Sequence, residues 1–273
     1  VNGPAARWLR NYRPTPDATL RLVCFPHGGG GATFFRPWAL TAPEDVEVLV
    51  VQYPGREDRR GEAVLTEMSA LADSAAQAIA DGVPGPLALF GHSMGALVAF
   101  EVARRLEVGA SQPQRLIVSG REAPHRARPS AKHLLDDAQL WADVGRLGGT
   151  HATLLESDEL RALVLPTLRA DFRLVAEYRV AARTPLQTGI SAFTGIADPD
   201  VEIPRVESWR DWTSGGFELR SFPGDHFYLA PERRAVLRAA LDAAAGDLPR
   251  VPAAAAWSTA TEAPGPRQWP STP

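Results

Sequence analysis

The chain has 273 residues, of which 45% are hydrophobic and 22% charged, with a formal net charge of −3. That length suits one large α/β domain with room for an insertion, and the mild acidity argues against a broad nucleic-acid footprint or an anionic membrane surface. Cys24 is the single cysteine, so no intramolecular disulfide can form, which fits a cytoplasmic protein. No apolar run approaches transmembrane length, and the N-terminus lacks the charged-then-apolar layout of a signal peptide.

Residues 1–18 hold Trp8, Tyr12 and prolines and read as an irregular arm. Leu20–Phe25 is the first predicted strand. It runs into Pro26-His27-Gly28-Gly29-Gly30-Gly31, where four glycines mark a close backbone approach or positive φ. A phosphate loop would need Lys-Ser/Thr next; Ala32-Thr33-Phe34-Phe35 follows instead. Val46–Tyr53 is a second strand, and the charged loop Pro54–Arg60 reads as a solvated surface. Met68–Ile79 has helical spacing, and Pro84-Gly85-Pro86 ends it.

Pro86–Phe90 is an apolar run that suits a buried parallel strand. Gly91-His92-Ser93-Met94-Gly95 follows, and Ala96–Leu106 then places apolar residues at helical spacing. Strand, Gly-flanked turn and helix is the context in which G-x-S-x-G presents a serine nucleophile. Arg115–Ser119 is the next strand. From about 121 to 185 the strand–helix rhythm breaks. Leu134–Leu147 and Asp158–Val180 carry helical periodicity, separated by Gly148-Gly149-Thr150, and together read as a helical lid inserted into the fold. The sheet resumes at Ile190–Thr194 and Phe217–Phe222, and a last helix spans Pro231–Ala245. The expected organisation is a single domain over 1–246, with its core at about 20–120 and 186–246, and a disordered Pro-, Ala- and Thr-rich tail over 247–273.

A serine hydroxyl needs a base, and the base needs an orienting acid. Of six histidines, His226 alone follows the last strand, where the chain order serine, acid, histidine puts the base. His92 lies inside the turn, and its side chain should point beneath it. Asp198 and Asp200 both follow the penultimate strand; Asp225 is too close in sequence to wrap onto the His226 ring. Turn spacing favours Asp198, with Asp200 the open alternative. The Met94 N–H and one N–H of the Gly28–Gly30 loop are the expected oxyanion donors. No metal-ligand spacing and no nucleotide fingerprint is present, so neither metal nor cofactor is expected.

Seven stretches in this order resemble the motif series of type II thioesterases, the free-standing α/β-hydrolases of polyketide and non-ribosomal peptide synthase systems. They are Cys24–Gly30, Tyr53-Pro-Gly-Arg56, Gly91–Gly95, Ser119-Gly-Arg121 with Ala123-Pro-His125, Arg146–Thr150, Leu165–Asp171 and Phe222–Phe227. The resemblance covers about residues 20–245. It implies an α/β-hydrolase fold, a mostly parallel sheet flanked by helices under a helical lid. It also implies hydrolysis of acyl thioesters on the phosphopantetheine arm of acyl or peptidyl carrier proteins, an editing activity that chiefly clears misprimed or stalled acyl groups; a monomer is expected. It places the acid at Asp198 and the loop donor at Gly28, where the family more often carries Ala. Glu122 and His151 depart from the family pattern, which bears on acyl preference. The competing readings are a small-molecule carboxylesterase, an excised off-loading domain, and a hydrolase-fold binding protein with a dead site.

Overall fold

Alternating side chains decide how the sheet is covered. Along β2 (Leu20–Phe25), Val23 and Phe25 join one apolar cluster, and Leu22 and Cys24 join another. Along β5 (Arg115–Ser119), Leu116 and Val118 face the first and Ile117 the second. Both faces of these strands are therefore buried, the signature of a parallel sheet sandwiched by helices. A computed structural model describes residues 3–109, 111–147, 157–180 and 184–246. Its sheet adds β1 (Leu9–Asn11), β3 (Val46–Val51), β4 (Leu87–His92), β6 (Gly189–Gly195) and β7 (Phe217–Phe222), in the order β1-β3-β2-β4-β5-β6-β7. All pairs are parallel except β1 with β3.

Helices α3 (Met68–Gly82) and α4 (Met94–Leu106) cover one face together with Trp209 and Trp212. Short α2 (Arg36–Thr41) and α8 (Arg233–Ala245) cover the other. Between β2 and β4 the strand order reverses direction, which opens a crevice at the carboxyl ends of the strands. The glycine loop, Ser93, Arg121, Asp198 and His226 all follow strand ends at that rim.

Two readings of the N-terminal half are corrected. Residues 9–11 are no irregular arm: Leu9 and Asn11 pair with Val51 and Leu49 and close one edge of the sheet. The charged loop 54–60 is not a solvated face throughout, because Arg56 and Arg59 are buried. Arg59 donates to the Gln52 carbonyl and to Glu62, and lies 4.6 Å over the Trp8 ring.

In the region expected to form the lid, α5 (Asp137–Leu147) and α6 (Asp158–Glu177) share a separate small cluster of Leu140, Trp141, Leu165 and Leu168. Residues 132–134 form a 3-10 turn instead of the start of α5, and Arg169 of α6 donates to the His133 and Leu135 carbonyls to hold it. The connector Gly148-Gly149-Thr150, His151 and the tail 247–273 lie outside the described residues. No helix among the described residues is long and apolar enough to cross a membrane.

Candidate active site

Ser93 sits between β4 and α4 with φ 56° and ψ −115°, a conformation that L residues avoid and that costs on the order of 1–3 kcal/mol. Its N–H donates to the Ser119 carbonyl at 2.8 Å, which fixes the bend. The flanking glycines are required by close approach. A side-chain carbon on Gly91 would overlap the Gly95 carbonyl, and one on Gly95 would overlap the Phe25 carbonyl. The pattern thus lets α4 start directly against the ends of β4 and β2.

His226 follows β7 and brings Nε2 to 3.0 Å from the Ser93 Oγ. Its Nδ1 lies 2.7 Å from Asp198 Oδ2, and the Asp198 side chain is fully shielded from solvent. The second carboxylate oxygen accepts the Asp200 N–H at 2.9 Å, which holds the acid in a tight turn after β6. Asp200 points elsewhere. It pairs with Lys132 at 2.5 Å and Arg146 at 2.7 Å, and both cations also hold Asp143. Burial pulls the Asp200 pKa up, but the Lys132 and Arg146 hydrogen bonds outweigh it, and the group titrates below its usual range. Asp225 is occupied locally by the Phe227 N–H.

Two more histidines lie beneath this relay. His92 Nδ1 meets Ser119 Oγ at 3.0 Å, and that hydroxyl meets Tyr228 Oη at 2.7 Å. His27 packs edge-on between Phe34 and Phe227, at 4.7 and 4.8 Å between centroids. Burial, and then the charge of His226 when it protonates, drives both pKa values down: His92 well below the usual range and His27 to about 3. Both are therefore neutral at neutral pH. His125 accepts from Trp212 Nε1 at 2.8 Å and faces Asp211, away from Ser93.

Sequence reasoning missed one pair. Asp171 of α6 reaches the glycine loop, where Oδ2 accepts the Gly29 N–H at 2.7 Å and Oδ1 accepts from Arg56 at 2.9 Å. Both side chains are buried. Burial raises the Asp171 pKa, opposed by Arg56 and the Gly29 N–H. Thr167 one turn earlier donates to the Gly55 carbonyl. The readable signal was an acid on an apolar stripe: Val164, Leu165, Leu168, Asp171 and Val175 recur at helical spacing.

A family model described as a thioesterase domain matches residues 20–243. The chain belongs to the thioesterase family. It is 42% identical over 231 residues to Thioesterase PikA5 of Streptomyces venezuelae, covering 84% of this chain and 82% of that protein. It is 41% identical over 232 residues to a probable cadicidin biosynthesis thioesterase of Streptomyces griseus, covering 85% of this chain. The match spans 64% of that relative, less than two thirds of its length. Among solved structures, the type II thioesterase BorB from the borrelidin biosynthetic cluster superposes with a TM-score of 0.82 at 40% identity, covering 87% of this chain and 98% of BorB. The mostly parallel sheet and these neighbours establish the α/β-hydrolase fold.

In this thioesterase a cavity of about 280 Å³ opens beside Ser93 and His226, walled by Phe172 and Val175 of α6, Leu147 of α5 and Val201. Glu122, one of the departures from the family pattern, is buried in its wall, where it pairs with Arg128 at 3.3 Å and with Arg205 at 3.7 Å. Met94 and Gly28 flank Ser93 in the chain and across the crevice. Among the described residues neither N–H has a hydrogen-bond acceptor in the protein, whereas Gly29 and Gly30 spend theirs on Asp171 and on the His27 carbonyl. Among the described residues there is also no group of three or more potential metal ligands.

Proposed function

We propose that this thioesterase releases acyl groups from the phosphopantetheine arm of acyl or peptidyl carrier proteins of a polyketide or non-ribosomal peptide synthase. Ser93 is the nucleophile, His226 the general base and Asp198 the orienting acid. The observation that carries this reading is the unbroken relay from Asp198 Oδ2 through His226 to Ser93 Oγ, at 2.7 and 3.0 Å, opening on a cavity.

The chemistry follows from the geometry. His226 Nε2 takes the Ser93 proton as Oγ attacks the thioester carbonyl, and Asp198 stabilises the imidazolium. The oxyanion is received by the N–H groups of Met94, the first residue of α4, and Gly28; one such donor is worth roughly 2.7–4 kcal/mol. Collapse expels the pantetheine thiolate, a good leaving group that takes the proton from the His226 imidazolium, and leaves an acyl-serine beside a neutral ring. Water deprotonated by His226 then releases the acid and restores the hydroxyl. Helices α5 and α6 act as the lid over the acyl group, within one domain spanning 1–246. The arm enters as substrate, so the reaction uses no cofactor and no metal, and a monomer in the cytoplasm is sufficient.

The test is turnover of acyl-carrier proteins of graded chain length against small oxygen esters, with Ser93→Ala as control. Carrier-bound thioesters are expected to be preferred, and a fluorophosphonate should label wild type but not Ser93→Ala. Preference for the oxygen ester with no gain from the carrier would identify a carboxylesterase. Absence of labelling would identify a binding protein.

A further inference from the structure

Among the described residues other than glycine, two have a positive φ: Ser93, at 56°, and Glu57, at 50°. A left-handed backbone is costly for a residue with a β-carbon and persists where its surroundings hold it. Glu57 opens the 3-10 turn Glu57–Arg59, and its side chain reaches the glycine loop. Its Oε1 accepts the Thr33 N–H at 3.1 Å and also the Thr33 hydroxyl. Thr33 belongs to the 3-10 turn Ala32–Phe35 that closes the loop. Gly31 bears the same mark. Its backbone is extended, with φ −120° and ψ −176°, which any residue adopts, so conformation does not call for glycine there. Space does: a side-chain carbon on Gly31 would overlap the Glu57 carboxylate. The last of the four glycines leaves room for that group.

The chain around Glu57 holds the loop at further points. Fully buried Gln52, just past the end of β3, accepts the Ala32 N–H at 2.7 Å through Oε1 and donates from Nε2 to the Arg56 carbonyl at 2.9 Å. The Tyr53 hydroxyl donates to the Pro26 carbonyl at 3.3 Å, and Arg56 donates to the Gly30 carbonyl at 3.4 Å. Residues 52–57 thus form a mould along 26–33. Successive glycines have great backbone freedom, so the place of the Gly28 N–H depends on what grips the loop. Asp171 grips it at Gly29 from α6, and Gln52 and Glu57 grip its far end. Hydrogen bonds to a charged acceptor such as Glu57 are stronger than neutral ones.

Resting on the thioesterase reading, in which Gly28 supplies an oxyanion donor, we propose that Glu57 is a positioning residue for that donor. Its carboxylate anchors the glycine run at Thr33, and the left-handed backbone at Glu57 is what turns the carboxylate inward. Its effect falls on the transition state, where the donor must be in place, and not on the binding of the thioester.

The experiment measures kcat and KM on a short acyl N-acetylcysteamine thioester, the rate of fluorophosphonate labelling of Ser93, and the melting temperature. Glu57→Ala should lower kcat roughly fivefold to thirtyfold, less than the roughly 10²–10³-fold that follows outright loss of a donor, with KM within about twofold of wild type. Labelling should slow in proportion, since the phosphoryl oxygen of the probe occupies the same hole. Glu57→Gln keeps an acceptor and should hold kcat within about threefold of wild type. Glu57→Gly relieves the backbone and should melt above Glu57→Ala, yet lose as much kcat. Gly31→Ala displaces the carboxylate and should slow turnover as Glu57→Ala does, and the double variant should lose no more than either alone. Unchanged kcat in Glu57→Ala overturns the proposal. So does a kcat that follows stability, with Glu57→Gly faster than Glu57→Ala, and so does a loss carried by KM. Additive losses in the double variant overturn it as well. Slowed labelling of Glu57→Ala in a protein without thioester hydrolysis would keep the anchor and remove the thioesterase reading. Thioester hydrolysis indifferent to Glu57 would do the reverse, and a wild type that neither hydrolyses nor labels would remove both.

Discussion

Replacing Asp171 with alanine should damage stability and rate by separable amounts. Asp171 and Arg56 are buried and 2.9 Å apart. Removing the carboxylate leaves the Arg56 guanidinium buried beside the Gly30 carbonyl and deprives the Gly29 N–H of its acceptor. Breaking a buried pair from one side costs about 3–5 kcal/mol. The catalytic effect is indirect. Asp171 pins the Gly28–Gly29 peptide, which adjoins the His27–Gly28 peptide that carries the proposed Gly28 donor. Full loss of that donor would lower kcat roughly 10²–10³-fold, which is the upper bound for a residue that only positions it. The assay is urea unfolding alongside kcat and KM on a short acyl thioester. The loss is expected in kcat, with KM changed little. The double variant Arg56→Met with Asp171→Leu separates the two effects. It removes both buried charges and should recover most of the stability, yet kcat should stay low because the loop is still unpinned. An Asp171→Ala protein within about 1 kcal/mol of wild type, or one with unchanged kcat, would refute this coupling of α6 to the loop.

Asp198→Asn should lower kcat by roughly 10³–10⁴-fold, whereas Asp200→Asn should stay within about tenfold of wild type, since Asp200 holds Lys132 and Arg146 rather than His226; steady-state kinetics on one substrate decides both. Gly28→Ala should fold and turn over, because the added carbon meets Asp171 and Phe172 at ordinary contact distances of 3.5 and 3.6 Å, while Gly95→Ala should fail to give soluble protein, its carbon having to displace the Phe25 carbonyl. Acid should destabilise the fold from pH 6.5 downward. His27 stays neutral in the native state until about pH 3 but binds a proton near pH 6.5 when unfolded, so its stabilising contribution is complete above pH 6.5. It is lost as pH falls, at about 1.4 kcal/mol per pH unit. Urea titrations at pH 7, 6 and 5 should show this slope, and His27→Gln should reduce it by about one proton.

The central strands and the site were readable where one chain feature served both local structure and chemistry. The run into Gly91–Gly95 encodes a buried strand, a bend and a helix at once, and Ser93 occupies the bend. Asp198 and His226, which the structure brings into hydrogen-bond reach of each other and of Ser93, stood out in the sequence because strand ends are marked by turn residues. What escaped depended on contacts that no local pattern records. β1 is three residues long, with a charged residue at its centre, and exists only through its pairing with β3. Helix α2 is six residues long with Pro37 in its first turn, too short to show a period. The loop 54–60 looked solvated because four of its residues bear charge in succession after Arg56, and only the partner Asp171, over a hundred positions away, reveals why Arg56 is inside. The acid on the apolar stripe of α6 was visible but had no partner in the linear text.

The bend at Ser93 sets thermodynamics against chemistry at a single codon. Glycine there would adopt φ 56° without steric penalty, and after allowing for its greater freedom in the unfolded chain it should gain roughly 1 kcal/mol. A selection for heat resistance that ignores turnover would therefore favour losing the hydroxyl at the very position proposed to carry the reaction. Directed evolution of this scaffold needs an activity screen in every round, since robustness alone rewards the loss of the proposed nucleophile.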